Sequence, residues 1–222
     1  MILPYTLSLN PLAKLTAGAR IKPYPKNQII LYGGDKVTDI FVLKKGVAKI
    51  YDIDHQGNEK VLHILKSPAI MPLGSVLGQD MSTEWFYSAV TDCEVYAISR
   101  ADAEKRILAD SRLAAYVMDR FSREMHEVMV RLSGLGKTDV RGKLTYVLRF
   151  LAVYHARERR GGWRRVEFPV GHQLLADMIG MTRESTAIGT KHLRSQQIIR
   201  YPRATLLEIN LNNLLAYQPV IA

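Results

Sequence analysis

Short apolar runs separated by turn residues fill the first half of the chain. The runs at 28–32, 40–44, 47–52, 61–65, 86–90 and 94–98 are rich in β-branched and aromatic residues. Glycine and aspartate lie between them, as in Gly33-Gly34-Asp35 and Lys45-Gly46, and these residues accept the backbone conformations of tight turns. The pattern predicts an antiparallel sandwich or barrel.

A long amphipathic helix is predicted after this region, because residues 110–133 contain neither glycine nor proline. One apolar face is formed by Leu113, Val117, Phe121, Val128 and Leu132, flanked by Tyr116, Met125 and Met129. Such a face needs something to pack on. A second copy of the chain would cover it, and so would the chain's own barrel.

The segment Gly134-Leu135-Gly136 is predicted to break this helix, with Asp139 capping a second one from Val140 to about Arg157. Residues 158–165 are expected to form a loop and 166–170 a short strand. The pattern therefore divides the chain into a barrel domain at 1–109, a linking helix at 110–136 and a third domain at 137–222.

Two short helices joined by a tight turn are predicted between Gly171 and Leu193. The first spans 172–179, Gly180-Met181 forms the turn, and Thr182 is a good N-cap for the second. This is the spacing of a helix-turn-helix, in which the N-terminal residues of the second helix reach base edges in the major groove of DNA. Arg183 and Glu184 lie there; arginine pairs with guanine, and glutamate accepts from a cytosine amino group. Residues 198–209 are predicted to form a two-stranded wing.

Composition supports a polyanionic partner, since the formal net charge is +10. Hydrophobic residues make up 47% of the chain, enough for two cores, yet no run approaches the length of a membrane span and the Met1–Asn10 start lacks a secretion signal. We therefore expect a cytoplasmic protein with no membrane partner. The single cysteine, Cys93, excludes internal disulfides and all-cysteine metal sites and is expected to be buried. The six histidines show no metal-ligand spacing, and no catalytic constellation emerges, so we expect neither an enzyme nor a cofactor.

Three segments in the same order resemble the Crp/Fnr family of bacterial transcription regulators. They are Phe41-Val42-Leu43-Lys44-Lys45-Gly46, the hinge Thr138-Asp139-Val140-Arg141-Gly142-Lys143-Leu144, and Leu175-Ala176-Asp177-Met178-Ile179-Gly180-Met181-Thr182-Arg183-Glu184. The resemblance extends over nearly all of residues 27–209. It implies an α+β chain with an N-terminal jelly-roll barrel of the cyclic-nucleotide-binding type, a long dimerisation helix and a C-terminal winged helix-turn-helix.

The chain departs from the family where members that respond to cyclic AMP bind the nucleotide. Those members carry Gly-Glu and Arg-Ser or Arg-Thr pairs, whereas this chain has Pro72-Leu73 and Thr83-Glu84. Without the cation and carboxylate, cyclic AMP is disfavoured. The corresponding effector pocket would be formed by Leu73, Gly74, Thr83, Glu84, Val128 and Met129.

The recognition helix departs as well, since Ile188 replaces a second base-reading arginine of many relatives, and Gly189 and Thr190 replace apolar residues. The target sequence should therefore differ. Glycine inside a helix costs about 1 kcal/mol relative to alanine, so we expect a helix that is less stable than usual. The residues expected to contact DNA are Thr182, Arg183, Glu184, Ser185, Ala187, Ile188, Lys191, His172 and Arg203.

The resemblance implies a homodimeric activator or repressor that binds a pseudo-palindromic DNA site under the control of an effector other than cyclic AMP. RNA polymerase would be a partner of an activator. Two alternatives stay open: a regulator that needs no effector and uses the barrel only as a scaffold, and a nucleotide-binding signalling module that never contacts DNA.

Overall fold

A computed structural model describes residues 10–76, 78, 82–136 and 139–217. The start of the chain, on which the expectation about a secretion signal depended, lies almost wholly outside the described residues. Two residues of the expected hinge, Lys137 and Thr138, lie outside them too. None of the described helices is both long and apolar enough to cross a membrane.

The described residues form two compact units. The first contains the chain up to Ala48 together with Leu65–His126, and the second contains Lys49–Ile64 together with everything from Glu127 onward. A hairpin that the sequence assigns to the barrel is therefore grouped with the C-terminal part of the chain. The domain limits inferred from the sequence stay a prediction.

The N-terminal half is built from eight strands. Their bounds are β1 Arg20–Tyr24, β2 Ile29–Leu31, β3 Asp39–Lys45, β4 Val47–Ile53, β5 Glu59–Lys66, β6 Ala69–Met71, β7 Phe86–Ala89 and β8 Cys93–Ser99. They form two sheets with the orders β1-β8-β3-β6 and β2-β7-β4-β5. The pairs β1–β8, β3–β8, β3–β6 and β2–β7 are antiparallel. The six predicted strands are confirmed to within two residues at each end, and β1 and β6 are additional.

Helices complete the first unit. Helix α1 spans Asn10–Leu15, α2 spans Arg100–Ala109, and α3 spans Ser111–Leu135 and continues into the second unit. Ser99 caps α2 by accepting a hydrogen bond from the Asp102 backbone N–H. The core of the unit joins these helices to the first sheet. Its fully buried residues include Leu15, Ile40, Ile107 and Leu113.

The long helix ends within the segment that was predicted to break it. Helix α3 ends at Leu135, so the break predicted at Gly134-Leu135-Gly136 is confirmed, although Gly134 itself still has helical geometry. Its Cα lies so close to the next helix that an added Cβ would be 2.6 Å from Tyr146 Cβ. Glycine is present because two helices approach each other here.

The rest of the second unit combines four helices with a four-stranded sheet. The helices are α4 Val140–Tyr154, α5 His172–Ile179, α6 Arg183–Ser195 and α7 Leu211–Ala216. The strands are β9 Ala156–Glu158, β10 Trp163–Val166, β11 Ile199–Arg203 and β12 Leu206–Asn210, in the order β11-β12-β10-β9. The Asp139 cap of α4 is confirmed by its side-chain hydrogen bond from the Gly142 N–H, 2.8 Å long.

Two expectations for this unit were wrong. Residues 158–165 are not one loop, because β9 and β10 pair on either side of a tight turn at Gly161-Gly162. The strand expected at 166–170 lies earlier, at Trp163–Val166. Arg164 and Arg165 of this strand pair with β9 on one side and β12 on the other. Two consecutive arginines do not indicate a strand in the sequence, so this pairing was missed.

Candidate nucleic-acid interface

Helix α5 and the turn after it follow the sequence prediction. Its buried side chains are Leu175, Ala176, Met178 and Ile179. The helix ends at Gly180, which adopts the left-handed conformation with φ 63° and ψ 47°. Glycine occupies this conformation without the steric cost of a Cβ, and its N–H bonds to the Ala176 carbonyl. The backbone then reverses into α6 within two residues.

Thr182 caps α6 as predicted. Its backbone is extended, and its hydroxyl accepts a hydrogen bond from the Ser185 N–H at 3.2 Å. Its carbonyl accepts a hydrogen bond from the Thr186 hydroxyl at 2.8 Å. The side chain and the backbone of Thr182 therefore both stabilise the first turn of α6. Glu184 lies in the same turn, where the positive end of the helix dipole favours a carboxylate.

The side chains of α6 divide into a buried and an exposed face. Thr186, Thr190 and Leu193 are buried in the second unit. Glu184, Ile188 and Lys191 are exposed at helical spacing, and Ile188 is 73% accessible to solvent. The exposed face of α6 thus carries one large aliphatic side chain between two charged residues.

Gly189 lies on the buried face of α6. A Cβ at this position would be 2.6 Å from Leu144 Cδ1 and 3.1 Å from Val140 Cγ1, both on α4. The sequence suggested a softened helix; the structure shows a close crossing of α6 over α4. Because glycine has no side chain, α6 can pack closely against Leu144 and Val140 of α4.

The structure brings seven of the nine predicted DNA-contacting residues together along one helix and its cap. These are Thr182, Arg183, Glu184, Ser185, Ala187, Ile188 and Lys191. His172 begins α5 and is half-buried, with its ring 6.0 Å from the Tyr201 ring on β11. Arg203 is exposed at the end of β11, beside the turn of the wing.

Charge organisation in the wing sheet was missed by the sequence analysis. Glu208 on β12 is only 1% exposed, although it lies opposite Arg165 on β10 and Arg200 on β11. Each arginine forms an ion pair with the Glu208 carboxylate at 2.7 Å. The Arg200 guanidinium also lies 4.0 Å from the centroid of the Trp163 ring. Burial raises the pKa of Glu208, but the hydrogen bonds and the positive charges of Arg165 and Arg200 together lower it overall. Alternation along β12 places Glu208 on the face opposite the buried Leu207 and Ile209, so its burial could not be predicted from the sequence, and its two partners come from other strands.

The positions expected to form an effector pocket are divided between the units. Leu73 and Thr83 are buried in the first unit, and Gly74 and Glu84 are exposed there. The Thr83 hydroxyl donates to the Trp85 carbonyl at 2.9 Å. Val128, half-buried, and Met129, exposed, belong to the second unit.

A tyrosine hydroxyl links Thr83 to the negative charge of Glu124. Burial raises the pKa of the Tyr87 hydroxyl and the negative charge of Glu124 adds to this, while a hydrogen bond with Thr83 acts in the opposite direction. The Arg120 guanidinium lies 3.8 Å from the Glu124 carboxylate. Arg120 therefore already faces a carboxylate of its own helix.

Comparisons with known proteins agree with this architecture. A family model described as "Cyclic nucleotide-binding domain" matches residues 21–110, and one described as "Crp-like helix-turn-helix domain" matches residues 143–217. The cAMP-activated global transcriptional regulator Vfr of Pseudomonas aeruginosa is 23% identical over 207 residues, covering 91% of this chain and 95% of Vfr.

Two solved structures share the fold. The c-di-GMP-responsive global regulator CLP of Xanthomonas campestris superposes with a TM-score of 0.75 at 17% identity, covering 91% of this chain and 99% of CLP. FixK2 of Bradyrhizobium japonicum gives a TM-score of 0.75 at 17% identity, covering 92% and 99%.

Proposed function

Because the chain belongs to the Crp/Fnr family of transcription regulators, we propose that it binds a pseudo-palindromic DNA operator as a homodimer, placing α6 in the major groove of each half-site. Regulation of transcription, not catalysis, is the proposed activity, and an activator would also contact RNA polymerase. The cytoplasm is the proposed location.

The observation that carries this proposal is the outward face of α6. Arg183 and Glu184 lie in its first turn, and Ile188 and Lys191 continue the same exposed surface. In a helix-turn-helix the first residues of this helix read base edges. We assign Arg183 and Glu184 to base reading and Ile188 to apolar contact with a thymine methyl group. Lys191, His172 and Arg203 are assigned to the phosphate backbone together with the cap residues Thr182 and Ser185, and Ala187 to close approach of the helix.

Homodimerisation is supported by an apolar stripe on α3. Met118, Phe121, Met125 and Leu132 are exposed, and Val128 is half-buried. Their spacing of three and four residues is the heptad pattern that pairs two helices. A second copy of α3 would cover this stripe and place two copies of α6 on one duplex.

The proposed effector is a molecule other than cyclic AMP. A cyclic phosphate requires a cation, whereas Thr83 and Glu84 occupy the positions at which nucleotide-responsive relatives carry arginine and a hydroxyl residue. A regulator that needs no effector is the second candidate, because the Thr83 hydroxyl is already bonded to the Trp85 carbonyl. The signalling module without DNA contact is disfavoured by the exposed Arg183.

DNA binding is tested by selecting duplexes from a random pool with the purified protein, followed by competition binding with single-base variants of the selected site. The unmodified protein should recover an inverted repeat. Arg183→Ala should lose about 1–3 kcal/mol per half-site and tolerate substitution at one base pair. Lys191→Ala, its matched control on the same helix, should weaken all sequences alike and reduce the salt dependence.

Circular dichroism must first show that both variants remain folded. If no sequence is enriched, the proposed DNA binding is wrong. If Arg183→Ala keeps the specificity profile of the unmodified protein, base reading belongs to another residue.

A further inference from the structure

Arg131, near the end of α3, is buried although its charge has no carboxylate partner among the described residues. Only 7% of its surface is exposed. Nη1 donates to the Leu62 carbonyl at 2.7 Å, and Nη2 donates to the carbonyls of Val61 at 2.9 Å and Met178 at 2.8 Å. The guanidinium also lies 5.7 Å from the Phe150 ring centroid. Burial lowers the pKa of Arg131 to about 10, so the side chain stays charged at neutral pH.

The carbonyl of Met178 is available because it lies in the last turn of α5. The N–H groups of Gly180 and Met181 both bond to the Ala176 carbonyl, which leaves the Met178 carbonyl without a backbone donor from this turn. A cation at this end of a helix is favoured by the helix dipole. Arg131 therefore acts as a C-cap for the first helix of the helix-turn-helix, supplied by a different helix.

The other two acceptors belong to β5, the outer strand in the order β2-β7-β4-β5. An outer strand presents carbonyls that no neighbouring strand satisfies. The carbonyls of Val61 and Leu62 both accept hydrogen bonds from the Arg131 guanidinium. One planar group thus joins α3, β5 and α5, and all three contacts lie within the second unit.

A guanidinium fixes direction as well as distance, because its donors form a rigid planar fork. Once Arg131 bonds to α5 and β5, α5 is held in one orientation with respect to the end of α3. Helix α6 follows α5 after a three-residue turn and packs on it and on α4. The orientation of α6 with respect to the end of α3 is therefore held by this side chain together with the packing of α4 against both helices.

We propose that Arg131 is a positioning residue that sets the half-site spacing the dimer accepts. This role rests on the proposed function, since it requires two copies of α6 on one duplex. Two linked binding modules gain affinity from each other only when their geometry permits both to engage at once. Releasing Arg131 allows each helix-turn-helix to take several orientations, so the preferred spacing loses affinity while other spacings lose less.

The test uses the full chain and three families of duplex. These are the inverted repeat recovered by selection, the same repeat with its spacer lengthened or shortened by single base pairs, and a duplex with one half-site. Fluorescence anisotropy is measured for the unmodified protein, Arg131→Gln and Arg131→Lys. Arg123→Gln is the matched control, because Arg123 lies on the same helix in an exposed ion pair with Asp119.

We expect Arg131→Gln to bind the selected repeat about tenfold or more weakly, to bind the single half-site as the unmodified protein does, and to discriminate less between spacings. Arg131→Lys keeps the positive charge but lacks the planar guanidinium, so its affinity for the repeat should lie between those of the unmodified protein and Arg131→Gln. Arg123→Gln should match the unmodified protein. A merely structural role would reduce half-site binding and repeat binding together.

An unchanged spacing profile in Arg131→Gln overturns the proposal. If that variant loses half-site binding as well, Arg131→Lys decides: a relaxed profile supports the proposal and a profile as steep as that of the unmodified protein overturns it. If the unmodified protein binds no duplex, the proposed function fails and this role fails with it. Binding to the repeat that is insensitive to spacing in the unmodified protein overturns the role of Arg131 alone.

Discussion

Gly134 lies inside a helix, a position at which glycine lowers stability unless something requires it. An added Cβ would be 2.6 Å from Tyr146 Cβ, an atom next to the backbone of α4 that cannot rotate away. The glycine allows α3 and α4 to cross closely, and Gly189 does the same for α6 and α4. Two neighbours of α4 thus each place a glycine against its side chains.

Replacing Gly134 with alanine should therefore destabilise the protein. Alanine gains about 1 kcal/mol in helix propensity, but overpacking costs about 1–3 kcal/mol, so we expect a net loss of about 1 kcal/mol. Urea unfolding would measure it. Ser133→Ala, at the exposed neighbouring position, should change stability by less than about 0.5 kcal/mol. A more stable Gly134→Ala variant would show that the close crossing is not required.

Single residues also mark the limit of what the sequence could predict. Thr182, Asp139 and Gly180 were predicted correctly, because a cap or a left-handed turn depends only on the residue and its neighbours in the chain. Arg131 and Glu208 were missed. Arg131 bonds to backbone carbonyls and Glu208 bonds to arginines, and in both cases the partners lie on other elements. No pattern in the neighbouring sequence predicts these contacts.

At the scale of elements, the long helix was predicted from its periodicity, but its apolar residues were assigned to one face. In the structure Leu113 and Val117 are buried in the first unit, whereas Met118, Phe121 and Met125 are exposed. A helix with two apolar stripes produces overlapping periodicities, which a single sequence cannot separate.

The exposed stripe leads to a prediction about assembly. Met125→Glu should convert a dimer into monomers, because burying an unpaired carboxylate in the helix pair costs about 3 kcal/mol, or about a 100-fold weaker association. Ser133→Glu adds the same charge at an exposed position of the same helix that does not flank the stripe, and it should leave the dimer intact. Sedimentation velocity would measure both variants. A monomeric unmodified protein would contradict the proposed dimer.

Strands illustrate the same limit. The predicted strands alternate in polarity or form short apolar runs, but β1 has exposed residues at four of its five positions and contains Pro23, so its sequence lacks a strand signal. It is a strand because β8 pairs with it over five residues. Strand β6 has three residues, too few for a period to be visible.

At the scale of the molecule, the architecture could be predicted because its three parts occur in an order that few families share. For the effector, the sequence predicts only that cyclic AMP is disfavoured. It shows which nucleotide-binding groups are missing but does not identify another ligand. The grouping of Lys49–Ile64 with the C-terminal unit has no signature in the sequence, because it depends on contacts between distant segments.

Cyclic AMP should therefore not stabilise the protein. A ligand at about 100 times its dissociation constant adds about 2.7 kcal/mol, which would raise the melting temperature by several degrees. Differential scanning fluorimetry with cyclic AMP should show no shift, and a cyclic-AMP-activated relative provides the positive control. A shift abolished by changing Thr83 or Glu84 would mean that these positions do bind a cyclic nucleotide.

Cys93, the single cysteine of the chain, is buried, and its thiol lies 3.3 Å from the Val47 carbonyl. Burial raises its pKa, so little of the thiolate that reacts with maleimides is present at neutral pH. The unmodified chain should therefore react very slowly with maleimide labels. A fluorophore could be attached through one introduced cysteine, for example Leu108→Cys on the exposed side of α2, without first removing a native thiol. Energy transfer between two such labels in a dimer would report directly on how far apart the copies hold their first units when DNA is added.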